Sequence, residues 1–176
     1  MKIRKIAGVA AVCLLVPLVQ PDWFWIGLSV SLAGELIQLW CFASLKKTQV
    51  LACQGPYALV RNPMYLGRYF IVLGVILLLG LPGIYAIVPY TVVYWFYMAN
   101  RVKREEVALA KTLGADYNDY CKTVNRFLPS FKGVPLKSIL FWRWDLLIGN
   151  HGLLNAIGLL AAFAVLYLLS TSVLTF

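Results

Sequence analysis

Long apolar stretches constrain this chain more than any other feature. Of its 176 residues, 61% are hydrophobic and 13% are charged, which is a more apolar composition than that of a soluble domain. A helix needs roughly 20 apolar residues to cross the hydrocarbon core of a bilayer, and about 17 are tolerated. Five stretches approach that length: 6–20, 22–44, 64–80, 84–100 and 152–175. The sequence therefore predicts one all-α integral membrane domain over residues 1–176, with about five transmembrane helices.

The basic residues predict the orientation of these helices. The 16 lysines and arginines precede the first stretch, lie between or beside the second and third, or lie between the fourth and fifth. Because Lys and Arg are retained on the cytosolic side, we expect a cytosolic N-terminus and a C-terminus outside. The net charge of +9 is then explained by topology and by anionic lipid headgroups. No basic, aromatic module is present, so nucleic acid is not an expected partner.

Two further features are interpreted from the same pattern. Residues 136–148 are amphipathic and include Trp142 and Trp144, which is typical of an in-plane segment at the membrane interface that can act as a lid or lipid gate. Glu35 lies near the middle of the second stretch, where a carboxylate is costly and is a functional candidate. The alternative is a protonated or hydrogen-bonded Glu35 that helps helices pack. The four cysteines form no Cys-x-x-Cys pair, and a single histidine is present, so no metal site is expected.

Residues 55–67 are the first candidate for chemistry. Gly55-Pro56 marks a turn, Asn62 can cap a helix, and Pro63 suits the first helical position. Free N–H groups and the helix dipole favour an anion at such a start. The alternative is a capped entry to a membrane helix with no further role.

The second candidate follows the fourth apolar stretch. Residues 101–113 continue that helix, and Val102, Glu106 and Leu109 share one face. A carboxylate on an apolar stripe needs a cationic partner or a polar cavity. The alternative is that Glu105 and Glu106 are solvated and pair with neighbouring basic residues, namely Arg101, Lys103 or Arg104. Gly114 can end this helix, and Asp116 can cap the next.

Together the two candidates resemble a known group of enzymes. The first match is Gly55-Pro56-Tyr57 followed by Arg61-Asn62-Pro63-Met64-Tyr65-Leu66-Gly67, and the second is Glu105-Glu106 followed by Leu109, Gly114, Tyr117, Tyr120, Val124, Arg126 and Pro129. In order and spacing they resemble the isoprenylcysteine carboxyl methyltransferase and phospholipid methyltransferase group of integral-membrane enzymes. The resemblance covers roughly residues 50–130.

This resemblance implies S-adenosylmethionine bound near the cytosolic membrane face and a lipid-borne or prenylated acceptor. By resemblance, the cofactor-binding residues are Tyr57, Leu59, Val60, Arg61, Asn62, Pro63, Tyr65, Gly67, Glu105 and Glu106, and the catalytic residues are Arg126 and Glu106. The helix start at Asn62 can hold the cofactor carboxylate, and Glu105 or Glu106 its ammonium or ribose. Tyr65 can face the sulfonium. Arg126 can orient an acceptor carboxylate, whereas an amine acceptor needs Glu106 or a tyrosine as base.

One departure leaves the acceptor atom open. The isoprenylcysteine branch usually has His where this chain has Asn62, and the Asn-Pro-Met-Tyr sequence is more like the phospholipid N-methyltransferases. Both O-methylation and N-methylation therefore stay possible. Two other functions are alternatives: a reductase of the sterol-reductase type that uses NADPH, and a non-catalytic membrane scaffold of the same fold. The sequence predicts no oligomeric state.

Overall fold

The computed structural model describes residues 16–46 and 51–173, and within them it contains helices and no strand. The elements are a 3₁₀ turn at Val16–Leu18, α1 (Pro21–Ser44), a 3₁₀ turn at Gly55–Ala58, α2 (Pro63–Leu77), α3 (Leu81–Leu113), α4 (Ala115–Thr123), α5 (Leu136–Ile139), α6 (Trp144–Gly149) and α7 (Gly152–Val173). The predicted all-α class is confirmed.

Two of the described helices are long and apolar enough to cross a membrane. These are α1 and the Gly152–Thr171 part of α7. Helix α2 is apolar but has only 15 residues, because a turn that ends at Gly80 closes it before the predicted end at residue 80. Helix α3 runs through the predicted stretch 84–100 and continues to Leu113. Residues 6–15 of the first predicted stretch lie outside the described part, so the count of about five spans stays a prediction.

Helices α1 and α2 pack with their backbones in close approach. A Cβ atom on Gly34 would lie 2.5 Å from the Gly67 carbonyl oxygen, and one on Gly74 would lie 2.3 Å from the Gly27 carbonyl oxygen. Ser31 sits between these two crossings and donates a 2.9 Å hydrogen bond to the Ile71 carbonyl. Small residues that let helix backbones approach are the typical device of helix packing in membranes. Glycine is therefore required at these positions by space.

Helix α3 packs against α2 through a patch of aromatic side chains. The Tyr94 hydroxyl donates to the Tyr65 carbonyl at 2.6 Å, and the Tyr90 hydroxyl donates to the Tyr69 carbonyl at 3.0 Å. Below them Tyr65, Met98 and Val102 form a small buried cluster. Because α3 is continuous from Leu81 to Leu113, this contact fixes where its second half, with Glu105 and Glu106, lies.

The C-terminal end of α1 is held by the chain that precedes α7. The Asn150 amide donates to the carbonyls of Phe42 and Leu45, at 2.8 and 2.7 Å. The last carbonyls of a helix have no partner within the helix, so Asn150 satisfies two of them. Leu147 is buried against Phe42 beside this contact. Nothing in the sequence analysis singled out Asn150.

Glu35 is buried on α1, near Ser31 and Gln38. Its Oε1 atom has no hydrogen-bond partner within residues 16–46 and 51–173. This burial agrees with a functional role and with a protonated Glu35 that helps helices pack.

Candidate functional site

Backbone hydrogen bonds dock the 55–62 segment onto residues 120–130. The Arg61 amide donates to the Asn125 carbonyl at 2.9 Å, and the Ser130 amide donates to the Leu59 carbonyl at 3.0 Å. The Tyr120 hydroxyl donates to the Tyr57 carbonyl at 2.7 Å. The two segments that carry the family resemblance thus form one structural unit, although more than 60 residues separate them in sequence.

Asn62 has a different role from the one predicted. Helix α2 does begin at Pro63, but the Asn62 side chain makes no capping hydrogen bond. Its Nδ2 atom instead donates to the Arg126 carbonyl at 3.2 Å. The physical reason is the Asn62 backbone, with φ −126° and ψ 53°, outside the extended conformation typical of a capping residue. Asn62 therefore joins the start of α2 to the 120–130 segment.

Glu106 lies between two arginines. Its Oε2 atom is 2.5 Å from Arg126 Nη2, and its Oε1 atom is 3.1 Å from Arg61 Nη1. The second contact is an ion pair without hydrogen-bond angles, so Oε1 has no hydrogen-bond partner among the described residues. The Glu106 side chain is 10% exposed and that of Arg126 is 47% exposed. The alternative that Glu106 pairs with Arg101, Lys103 or Arg104 is wrong, since its partners come from the two docked segments.

Glu105 faces away from this cluster, as the adjacent position on a helix requires. Its side chain is 43% exposed. One oxygen, Oε1, accepts hydrogen bonds from the Tyr65 hydroxyl and from Arg101 Nε, both at 2.9 Å. The hydrogen bond with Glu105 is the main reason why the pKa of Arg101 is raised. For Glu105, the alternative of pairing with Arg101 is therefore confirmed.

Cys121 is a site residue that the sequence analysis missed. Its Sγ atom accepts a hydrogen bond from Arg61 Nη1 at 2.9 Å. Tyr117 lies one helical turn before it and is buried. Burial is the main cause of the raised pKa of Tyr117. The charge of Glu106 and the contact with Cys121 raise this pKa further. The signal was available: Cys121 follows Tyr117 by four residues, so both share the face of α4 that meets the site.

A cleft of about 360 Å³ opens beside these residues, and we call it the Arg61 cleft. It lies between the end of α1, the 57–62 segment, the last turns of α3, and α4. Tyr57, Tyr117 and Tyr120 contribute aromatic walls, and burial raises the pKa of all three. Arg61 lines the cleft, and its buried Nε atom has no hydrogen-bond partner in the described part of the chain. The cleft thus offers a cation and aromatic faces to a ligand.

A second cavity of about 220 Å³ lies between α2 and α3, and we call it the aromatic pocket. Its walls include Tyr65, Tyr94, Trp95 and Phe127. Asn62 lines both this pocket and the Arg61 cleft. The two cavities therefore meet at the residue that departs from the pattern of the isoprenylcysteine branch.

The remaining predicted residues lie outside the Arg61 cleft, in the packed parts of the structure or at helix ends. Leu59, Val60 and Pro63 are buried, and Gly67 faces α1 at the close helix crossing. Asp116 lies in the first turn of α4 but does not cap it, because Gly114 occupies the capping position. Gly114 ends α3 as predicted, with a φ of 60°. Within residues 16–46 and 51–173, no group of three His, Cys, Asp or Glu side chains gathers as a metal site would require.

Comparison with known proteins finds a family profile that matches part of this region. Residues 26–111 match the profile of the isoprenylcysteine carboxyl methyltransferase (ICMT) family. This range contains most of α1, the 55–62 segment, all of α2 and nearly all of α3.

Individual relatives agree with the profile. The chain is 36% identical over 87 residues to a Rattus norvegicus protein named protein-S-isoprenylcysteine O-methyltransferase, and 32% identical over 90 residues to the Xenopus laevis protein of that name. These alignments cover about half of this chain, and only 30% and 31% of the relatives. A probable protein-S-isoprenylcysteine O-methyltransferase of Oryza sativa subsp. indica is 27% identical over 130 residues, which is 66% of this chain and 67% of the rice protein. No solved structure matches the chain at a significant level.

Proposed function

We propose that this chain is a membrane enzyme of the isoprenylcysteine carboxyl methyltransferase family, whose profile matches residues 26–111. Its reaction is the methylation of a carboxylate on a lipid-borne acceptor. The methyl donor is S-adenosylmethionine. The observation that carries the proposal is the junction at Asn62, where the Arg61 cleft and the aromatic pocket meet beside a cluster of two arginines and one glutamate.

The Arg61 cleft fits the donor by the chemistry of its walls. S-adenosylmethionine carries a carboxylate, an ammonium, a sulfonium and an aromatic base. The unpartnered Nε–H of Arg61 supplies a buried donor for the carboxylate, which is a strong, charge-assisted hydrogen bond. The neutral rings of Tyr57, Tyr117 and Tyr120 offer faces to the base or to the sulfonium. Glu106 holds Arg61 in place and does not face the cleft as a free acceptor for the ammonium.

The aromatic pocket suits an apolar acceptor. It lies between α2 and α3 and is walled by Tyr65, Tyr94, Trp95 and Phe127. An acceptor that enters from the side of these helices brings its hydrocarbon into this pocket and its polar end to Asn62. Holding two reactants in one geometry is the main contribution an enzyme can make to a displacement reaction.

The charges of the cluster favour a carboxylate over an amine. Arg61, Arg126 and Glu106 carry a net charge of +1, and Arg126 is half exposed, so its guanidinium can also bind an incoming anion. A bound donor supplies an electrophilic methyl group, which a carboxylate oxygen attacks without losing a proton. An amine acceptor needs a base. Glu106 is held by two cations, and the raised pKa values of Tyr117 and Tyr120 keep these phenols neutral.

The first test is binding to the purified protein in detergent. S-adenosylhomocysteine should bind with measurable heat, whereas NADPH should not. Binding of NADPH alone would favour the reductase alternative, and binding of neither ligand would favour the scaffold.

The second test is methyl transfer from labelled donor to two acceptors, an isoprenyl thioether carboxylate and an aminophospholipid. Label in a base-labile ester of the first acceptor is the expected result. Label in the aminophospholipid would overturn the assignment of a carboxylate and leave the donor assignment standing.

A further inference from the structure

An apolar surface lies on the chain between α4 and α7, outside the helices that are candidates to cross the membrane. We call residues 136–149 the interfacial segment; it comprises α5, α6 and their link. Five of its large apolar side chains are exposed, with the exposed fraction after each name: Leu136 67%, Leu140 69%, Trp142 39%, Trp144 64% and Ile148 60%. A soluble surface rarely gathers so many exposed large side chains in so short a segment.

The segment is fixed at the end of a membrane helix. The Arg143 amide donates to the Ala43 carbonyl at 3.1 Å, and Asn150 holds the carbonyls of Phe42 and Leu45. Leu147 is 1% exposed and anchors the segment by packing against Phe42. Since α1 ends at Ser44 and α7 begins at Gly152, the segment connects the ends of two candidate spanning helices. Where these two helices cross a bilayer, the segment lies at the bilayer surface.

The charges of this region that form no ion pair are positive. Lys132 and Lys137 are exposed and form no ion pair with a described acidic residue. Asp145 is the one acidic residue of the segment. It is paired with Arg143, and the hydrogen bond from Arg143 lowers the pKa of Asp145. Two free lysines therefore lie next to the exposed apolar side chains.

From these observations we propose that the interfacial segment lies in the plane of the bilayer and binds anionic lipid headgroups. Leu140, Trp144 and Ile148 lie among the headgroups and upper acyl chains, as the apolar face of an in-plane helix does. Lys132 and Lys137 contact the lipid phosphates. Each lysine near an anionic membrane surface strengthens binding by about fivefold at modest salt. This proposal does not depend on the reaction that the protein catalyses.

The test uses the full chain in nanodiscs and the fluorescence of Trp144. A variant that keeps only this tryptophan is made by changing Trp23, Trp25, Trp40, Trp95 and Trp142 to Phe. Lipids brominated near the headgroup should quench Trp144 more strongly than lipids brominated near the chain end. The control adds Asn118→Trp on the exposed face of α4 to a tryptophan-free chain, and we expect little quenching there. Quenching of Trp144 no stronger than in this control, or strongest with deep bromines, would overturn the in-plane placement.

The headgroup part is tested by lipid composition. Adding phosphatidylglycerol to phosphatidylcholine nanodiscs should increase quenching of Trp144, and Lys132→Gln with Lys137→Gln should abolish that increase. Equal quenching in both lipid mixtures would overturn anionic binding. If the single-tryptophan variant does not fold, the wild type is compared with Trp142→Phe/Trp144→Phe in the same nanodiscs. That double variant should lose the increase in quenching that phosphatidylglycerol causes. If it keeps the whole increase, the proposal is overturned.

Discussion

The contact between α1 and α2 and the contact between the 55–62 and 120–130 segments hold the molecule together by opposite means. In the first, glycines bring two helix backbones together over Gly27, Gly34, Gly67 and Gly74. In the second, backbone amides and charged side chains join segments that are far apart in sequence. The first contact depends on the absence of side chains, and the second depends on their polar atoms.

The first contact stabilises the fold, whereas the second contact shapes the candidate site. A membrane offers no hydrophobic driving force between helices, so close packing has to supply the stability of the first contact. The second contact is polar and half exposed at Arg126, so it is weaker and adjustable. We therefore expect substitutions in the helix pair to prevent folding, and substitutions in the docked segments to impair the site while the fold survives.

The largest effect is expected from Gly34→Leu. Its Cβ would lie 2.5 Å from the Gly67 carbonyl oxygen and 2.7 Å from the Ile71 nitrogen, and both atoms are backbone that cannot turn aside. Overpacking typically costs about 1–3 kcal/mol, and we expect at least the upper value here. Thermal unfolding in detergent and the yield of monodisperse protein measure it. The matched control is Gly158→Leu on α7, where nothing lies within 4 Å of an added Cβ. Equal stability of the two variants would mean that the close crossing is not what holds α1 to α2.

Glu106→Gln should have the next largest effect. It leaves Arg61 buried without a countercharge, which costs roughly 3–5 kcal/mol in a fully buried pair. Because Arg126 is 47% exposed, we expect about 2 kcal/mol of lost stability. Binding of S-adenosylhomocysteine should weaken about tenfold or more, since Arg61 loses its position.

The matched control for this change is Glu105→Gln, one residue away on the same helix. Glu105 is 43% exposed, and exposed pairs contribute about 0–1 kcal/mol. Chemical unfolding and calorimetry should distinguish the two variants clearly. Similar losses in both variants would mean that the buried Glu106 contributes no more than the half-exposed Glu105.

Helical spacing predicts some features of the 101–113 helix and misses others. The face shared by Val102 and Glu106 was readable from helical spacing, and both residues are buried. The partners of Glu106 could not be predicted, because Arg61 and Arg126 are distant in sequence and contact Glu106 only in the folded chain. The turn that ends α2 at Leu77 also escaped prediction, since the apolar run continues to residue 79 without a change in composition.

Asn62→Ala should reduce turnover more than stability. The substitution removes one hydrogen bond to the Arg126 carbonyl, worth about 1 kcal/mol. It also removes the link between the start of α2 and the 120–130 segment, and small displacements at the junction of the two cavities can lower the rate about tenfold or more. Steady-state kinetics with both acceptors measure the change.

Asn62→His sharpens that result. A site of the isoprenylcysteine type should accept histidine and keep its activity, whereas a site shaped for asparagine should lose most of it. If Asn62→Ala and the wild type turn over equally, the junction at Asn62 is not where the reaction takes place.

The smallest effect is expected at Cys121, whose Sγ atom accepts a hydrogen bond from Arg61 Nη1. Sulfur is a weak acceptor, so Cys121→Ala should weaken binding of S-adenosylhomocysteine by only about two- to fivefold. Cys121→Ser keeps an acceptor at that position and should restore most of the affinity, which a purely steric role would not predict. Cys53→Ala is the control, because Cys53 is exposed and lies outside the Arg61 cleft. Calorimetry on the three variants at one temperature is sufficient. If Cys121→Ser and Cys121→Ala bind S-adenosylhomocysteine equally well, the hydrogen bond from Arg61 to Cys121 has no role in binding. The ion pair with Glu106 alone then orients Arg61.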